Sequence, residues 1–373
     1  MKKVLCLAAA LCFMAAPAFA ETIRIGLMAP MTGSWASEGQ DMRDIVTLMA
    51  EELNAKGGVL DKKVEIVVED DAGDPRAAAL AAQRLSTRKV AAVIGTYGSS
   101  VAEAAQNIYD DYDIIQVANG ATSNRLTEKG LNFFFRTCPR NDEQAMVAAK
   151  ALQSMGFSKI AILHDNTSYA RGLADDARKF IGEVSDAKVV FFNALTPGER
   201  DFNTVLTRMR ASDPDVILFT GYYPEAGLLL RQKMEMGWDV PMMGGDATNN
   251  PDLVEIAGTQ AASGFYFLSP PVPQDLPTDE ARAFLAAFEK KYSKLPGSIW
   301  AVLAGDAFTA IVTAIEGAGS TDSKKVAEYM RTRLKDMPAL TGTISFNSVG
   351  DRIGDVYRVY QVNAEGAFVL MNP

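Results

Sequence analysis

A chain of 373 residues that is 48% hydrophobic, 22% charged and 9% aromatic is long enough for two ordinary globular domains, and its composition excludes disordered and collagen-like classes. Its formal charge of −9 makes an acidic surface, which argues against nucleic acid and anionic membrane as partners. The three cysteines, at 6, 12 and 138, offer too few thiols for a disulfide framework.

The N-terminus has the layout of a secretory signal peptide over residues 1–20. M-K-K is followed by an apolar stretch too short to span a bilayer, and Ala18-Phe19-Ala20 forms an A-x-A cleavage site. The mature protein is expected to begin at Glu21, in the periplasm. Leu precedes both Cys6 and Cys12, so neither fits a lipoprotein start, and a soluble protein is expected. Cleavage removes Lys2 and Lys3 and no acidic residue, which moves the charge to −11. Cys138 is then the one thiol left, and stability must come from the core.

After the signal, I-R-I-G-L-M-A (23–29) reads as a strand, followed by the loop P-M-T-G-S-W-A-S-E-G. Met42, Ile45, Val46, Met49 and Leu53 recur at helical spacing until Gly57-Gly58 stops the helix. Val64 to Val68 closes a β-α-β unit, whose crossover makes its strands parallel. Asp74-Pro75 opens a helix as N-cap and N1, and Val90 to Ile94 is the third strand of a doubly wound sheet.

Two strand ends in this series then run into small residues with exposed backbone N–H groups. V-I-G-T-Y-G-S-S (93–100) leads into a helix for which Ser100 and Glu103 form a capping box. The free N–H donors of that helix start and the Ser99 hydroxyl suit a carboxylate or phosphate. I-I-Q-V (114–117) leads into A-N-G-A-T-S-N, where Gly120 allows close backbone approach and Thr122 supplies a second hydroxyl. In an open parallel sheet, ligands bind beyond the carboxyl ends of the strands. Serines and threonines at helix starts are more often caps than contacts, but two consecutive strand ends with one pattern favour an anion site.

A second series follows F-F-F-R-T-C-P-R-N-D (133–142). Strands at 160–163, 189–192, 216–219 and 242–243 alternate with helices starting near Tyr169, Asp201, Pro224 and Pro251. S-P-P-V-P-Q-D-L-P (269–277) is too proline-rich for a helix or central strand and reads as a crossing between domains. Two more helices follow, and then T-I-S-F and Y-R-V-Y-Q-V read as an antiparallel closing ribbon turned at Gly350 and Gly354. The one histidine, His164, sits at a strand end, and no G-x-S-x-G, Walker A, G-x-G-x-x-G, H-E-x-x-H or C-x-x-C motif occurs. No enzyme, metal or cofactor is indicated.

Nine stretches in order carry a resemblance over essentially the whole mature chain: G-L-M-A-P-M-T-G, N-A-K-G-G-V, V-E-D-D-A-G-D-P, V-I-G-T-Y-G-S-S, N-G-A-T-S-N, H-D-N-T-S-Y-A-R-G-L, T-P-G-E-R-D-F, T-G-Y-Y-P-E-A-G and M-G-G-D-A-T. Together they resemble the periplasmic solute-binding proteins of branched-chain and related amino-acid ABC transporters. The resemblance implies an α/β fold of two doubly wound parallel-sheet lobes joined by three hinge crossings, the type I periplasmic binding fold. It divides the chain into 21–139 with 271–342 as lobe 1, and 140–270 with 343–373 as lobe 2. The implied function is capture of an amino acid by hinge closure and delivery to an inner-membrane permease, by a monomer without chemistry. A ligand sensor for amides, urea or aromatic acids is the alternative.

By the same resemblance, Ser99, Gly120 and Thr122 hold the ligand carboxylate, Asp246 receives its ammonium, and Tyr169 and Tyr222 close on it. The chain departs from the type member in three ways. Glycines stand at 73 and 98 where that protein has cysteines, Asp246 replaces a glutamate, and Glu38 stands where an aromatic residue commonly lines the side-chain pocket. Glu38 either turns to solvent or pairs with an Arg or Lys, or it faces a polar or cationic ligand group beside Tyr97.

Overall fold

Two parallel sheets organise the protein, in a computed structural model that describes residues 22–354 and 357–371. The expected signal peptide lies outside the described residues. The first sheet holds β1 (Ile23–Ala29), β2 (Val64–Asp70), β3 (Ala92–Ile94), β4 (Ile115–Ala118) and β5 (Phe134–Arg136), all parallel, in the order β2-β1-β3-β4-β5. Between them run α1 (Ala36–Ala55), α2 (Pro75–Thr87), α3 (Ser99–Asp111) and the short α4 (Arg125–Glu128).

The second sheet takes β6 (Lys159–His164), β7 (Lys188–Ala194), β8 (Val216–Phe219), β9 (Met242–Gly244) and β10 (Tyr266–Ser269). It continues antiparallel into β13 (Arg358–Val362) and β14 (Phe368–Leu370). Its helices are α5 (Asn141–Ser154), α6 (Ser168–Val184), α7 (Asn203–Arg210), α8 (Tyr223–Glu235), α9 (Asp252–Ala257) and α10 (Thr259–Ala262). The chain returns to the first sheet through α11 (Asp279–Tyr292), α12 (Ile299–Ala318) and α13 (Ser323–Thr332). A ribbon of β11 (Met337–Ala339) and β12 (Gly342–Ile344) follows. The fold is therefore α/β with two doubly wound lobes, as expected.

Local chemistry explains the clearest elements. The central strands are apolar throughout, as V-I-L-F of β8, because helices cover both faces of a parallel sheet and every β8 residue is buried. Asp74 caps α2 by accepting from the N–H groups of Arg76 and Ala77, both at 2.9 Å, and Pro75 takes the first turn. Helix α12 is long and apolar enough to cross a membrane, but it is a core helix packed on α1, β3 and β4.

Several expectations fail for identifiable reasons. The sequence reading places no strand at β5 or β10 and no helix at α5 or α13; β5 and β10 are short apolar runs that lead directly into crossings at Pro139 and Pro270. The expected closing ribbon does not form: β12 pairs with β11, whereas β13 pairs with β10 and β14 in the other sheet. Gly342 lies inside the β11–β12 ribbon, and Asp351 and Arg352 still bridge to Arg136 and Phe346. The chain reaches the second sheet only beyond Ile353. Alternation identifies a strand but not its partner, and here two similar strands serve different sheets.

At that passage Arg136, at the end of β5 and fully buried, pairs through Nε with Asp351 Oδ1 at 2.6 Å. Its remaining donors reach the carbonyls of Ala121 and Ser123, at 3.2 and 2.8 Å, and Thr127 Oγ1 at 2.6 Å. One guanidinium thus fixes the loop after β4 to the third crossing. Removing the carboxylate strands a buried cation, so Asp351→Ala should cost about 3–5 kcal/mol of stability, read as a lowered denaturation midpoint. An unchanged midpoint would show that the pair does not hold the crossing.

Candidate ligand-binding cleft

Each parallel sheet sends its carboxyl ends toward the other, so the loops after β1, β3 and β4 meet those after β6, β8 and β9. The meeting is aromatic. Trp35 from the β1 loop lies 4.2 Å from Tyr222 and 5.5 Å from Tyr97 (ring centroids), and Tyr222 lies 5.2 Å from Tyr169. Trp300, at the start of α12, stands behind Tyr97 at 6.4 Å. The Trp35 indole fills the space over two glycines: a Cβ at Gly73 or Gly98 would fall 2.6 or 2.8 Å from it. Those are the two positions where the type member of the resembled family has cysteines.

On the first-lobe wall, Ser99 and Thr122 are both fully buried but poised differently. Ser99 Oγ accepts from the Ser123 N–H at 3.1 Å, which leaves its own hydrogen to donate. Thr122 donates its hydrogen to Asn141 Oδ1 at 2.7 Å and so offers only acceptance. The Tyr222 hydroxyl lies against the Ser99 backbone N–H, at the N-terminus of α3. Gly120 is needed for close approach, though to protein: a Cβ there would sit 2.9 Å from the Tyr97 ring.

The capping box expected at Ser100 and Glu103 does not form. Gly98 is the N-cap of α3, without a side-chain cap. Both side chains instead cross the cleft, where Ser100 Oγ accepts from the Ser168 N–H at 2.9 Å and Glu103 accepts from the Ser168 hydroxyl at 3.0 Å. The same sequence signature serves to close two lobes because a partner from α6 competes successfully for these groups.

Opposite, Asp246 follows β9 and is enclosed. Tyr357 donates to its Oδ2 at 2.6 Å, Gln144 Nε2 also donates to that oxygen, and the Tyr169 hydroxyl adds a third bond. Burial pushes this carboxyl up to about 7, with the tyrosine hydroxyls and the Ala247 N–H pulling it part of the way back. All of its partners are neutral. Gly245 permits the packing, since a Cβ would fall 2.4 Å from the Tyr169 hydroxyl.

Glu38, in the first turn of α1, is 1% exposed rather than turned to solvent, and among the described residues it pairs with no Arg or Lys. Asn250 Nδ2 of the second lobe donates to Oε1 at 2.7 Å, and the Ser298 hydroxyl donates to Oε2 at 2.5 Å. Burial pushes Glu38 up to about 8, against the two hydrogen bonds and with help from nearby Asp41 and Asp252. Beside it, Ser37 Oγ donates to Asp252 at 2.8 Å, and the Tyr223 hydroxyl donates to the Ser34 carbonyl at 2.8 Å, which closes this edge of the cleft.

The structure places Glu38, Tyr97, Ser99, Gly120 and Thr122 on the first-lobe side, and Tyr169, Tyr222 and Asp246 on the second-lobe side, of the junction between the lobes. It adds Trp35, Trp300, Gln144, Asn250, Ser298 and Tyr357, which the sequence reading did not single out. Gln144 alone carried a signal, being a polar residue in register with Ala148 and Leu152 on the buried face of α5. His164 is used structurally: its Nδ1 accepts the Asn166 N–H at 3.0 Å. Cys138 is buried and unpaired, with its thiol pushed up to about 12 by burial.

The model of the family described as periplasmic binding protein matches residues 22–367. The chain belongs to that family. It is 35% identical over 344 residues to the leucine-, isoleucine-, valine-, threonine- and alanine-binding protein of Pseudomonas aeruginosa, covering 92% of this chain and 90% of the relative. It is 33% identical to the Leu/Ile/Val-binding protein BraC3 of Rhizobium johnstonii, with 94% of each covered. Among solved structures, the branched-chain amino acid transporter substrate-binding protein LivJ of Streptococcus pneumoniae, in complex with isoleucine, superposes with a TM-score of 0.86 at 29% identity. That match covers 95% of this chain and 100% of the other. The type I periplasmic binding fold of such proteins accounts for the two lobes and the cleft.

Two outcomes follow for this family member. Ser99 retains a free donor and Thr122 does not, so Ser99→Ala should lose roughly 1.5–3 kcal/mol for a carboxylate ligand and only about 0.5–1.5 kcal/mol for its carboxamide. Thr122→Ala should discriminate less in the same titrations, and the reverse order would reassign the donor. Glu38 is raised above its ordinary value of 4.5, so its contribution to stability is full below that value and is lost as pH rises through about 8. Glu38→Gln cannot ionise, its oxygen can accept from Asn250 while its amide donates to the Ser298 hydroxyl, and it should melt above wild type near pH ~9, with the gap closing toward pH ~5. A gap independent of pH would mean that Glu38 does not titrate there.

Proposed function

We propose that the protein is the substrate-binding component of an ABC importer, exported to the periplasm, that encloses an amino acid or close analogue between its lobes. One observation carries the reading: Asp246 on one lobe and the Ser99 end of α3 on the other are buried at the same junction, bridged by Tyr169 on the Asp246 carboxyl and Tyr222 on the Ser99 N–H. A carboxyl without a cationic partner attracts an ammonium, and a helix N-terminus with a free hydroxyl attracts a carboxylate. Those are the two ends of an α-amino acid. The names of the Pseudomonas and Rhizobium relatives accord with this.

The lobes are read as 22–139 with 271–353, and 140–270 with 357–371, turning on the three crossings between them. Ligand bridging the walls favours the closed form by its differential contacts, and an inner-membrane permease reads that form. The protein acts as a monomer and without catalysis. Amides, urea and aromatic acids suit the cleft less well, because none brings an ammonium to Asp246.

A thermal-shift panel of amino acids, amides and aromatic acids tests the reading. A true ligand at 100 times its Kd should stabilise the protein by about 2.7 kcal/mol, and Asp246→Ala should cost about 2–5 kcal/mol of binding with the melting point of the free protein little changed. The pH dependence has a definite sign. A ligand ammonium favours the ionised carboxyl, so binding should release protons near pH 7 and affinity should fall as pH drops below that value. A response to amides or aromatic acids alone, or affinity indifferent to Asp246, would refute the proposal.

A further inference from the structure

Glu38 presents a question that an ordinary amino-acid ligand leaves open. Among the buried carboxyls at the closed cleft, Asp165 is held by the N–H of Thr167, while Asp246 and Glu38 lie nearer the lobe junction and, among the described residues, form no ion pair. Lys294, shortly before Ser298 in the chain, is engaged by Asp41, Arg43 by Asp44, and both flanking acids, Asp41 and Asp252, act on Glu38 in the unfavourable direction. A carboxylate enclosed without a cation costs several kcal/mol, so such a group either stays protonated or awaits a charge from outside the chain. A zwitterionic ligand brings one ammonium, which the reading above gives to Asp246. Nothing then remains for Glu38.

The surroundings of Glu38 are those of a cation site. Its two hydrogen bonds, to Asn250 and Ser298, come from opposite walls and occupy one direction at each oxygen, and a carboxylate accepts about four in all. Tyr97 and Tyr223 stand close enough to feel its charge, and Tyr97 is itself ringed by Trp35, Tyr222 and Trp300. Aromatic rings near a carboxylate favour ammonium or guanidinium over an aliphatic tip, through cation–π attraction added to the ion pair. With a second cation in place, both protein carboxyls are compensated, and the ligand carboxylate is left to the N-terminus of α3.

We propose that Glu38 reads the far end of the ligand side chain, and that the protein selects amino acids with a cationic side chain, of the lysine, ornithine or arginine class. This inference rests on the amino-acid reading and narrows it. It predicts a specificity different from that named for the branched-chain relatives.

The test is calorimetric titration of the wild-type protein, freed of bound ligand, with lysine, arginine, norleucine, glutamine and leucine at neutral pH. Norleucine matches lysine in length and lacks only its terminal ammonium. Lysine or arginine should bind at least roughly tenfold tighter than norleucine and leucine, and Glu38→Gln should erase that margin by weakening the basic ligand. Equal or tighter binding of norleucine, leucine or glutamine by wild type overturns the inference while leaving the amino-acid reading standing. A margin that survives in Glu38→Gln overturns it too, whereas binding of no amino acid defeats both. The wild-type ratio decides the matter even if the variant folds poorly.

Discussion

The enclosure of carboxyl groups without cationic partners is the constraint on which the arrangement of this protein turns. Asp246 and Glu38 lie on different lobes, each nearly inaccessible to solvent and each bonded only to neutral groups. Water would solvate both charges well if the lobes separated. Closure therefore carries a desolvation cost that raises both carboxyls toward the protonated form and that, on the proposed reading, a positively charged ligand offsets. On the proposed reading the coupling of ligand to closure has an electrostatic origin, and the hydrogen bonds from Ser168 to Ser100 and Glu103, and from Ser37 to Asp252, add the directional part.

The fold supplies this constraint through its topology. Two sheets of the same strand order place their loops face to face, so each contributes residues that need only follow a strand end. Small residues keep those loops close: Gly120 against Tyr97, Gly245 against Tyr169, and Gly73 and Gly98 beneath Trp35. Arg136 then holds the loop after β4 to the last crossing, so the Ser99–Thr122 wall and the hinge share one buried ion pair. A change at the hinge is in this way mechanically connected to the ligand wall.

Much of this was legible in the sequence where the information is local. The β-α alternation, the Asp74-Pro75 helix start, the strand ends at Ser99 and Thr122, and Asp246 beyond a short apolar strand all appear where periodicity and turn chemistry put them. What escaped depends on distant pairs. Tyr357 meets Asp246 across 111 positions, and Asn250 and Ser298 meet Glu38 across 212 and 260, with no local pattern to announce them. Ser100 and Glu103 show the converse error: a correct local signature for a capping box was outcompeted by a partner on the other lobe. The strand pairing of β12 and β13 failed for the same reason, since alternation carries no address.

The most direct test of the account is a crystal structure of the protein with the ligand it retains on purification or the best binder from titration. The account predicts an amino acid enclosed between the lobes, its ammonium within about 3 Å of the Asp246 carboxylate and its carboxylate on the Ser99 hydroxyl and the N-terminal N–H groups of α3. A ligand without an ammonium at Asp246, or one bound outside the cleft with the lobes still closed, would contradict it.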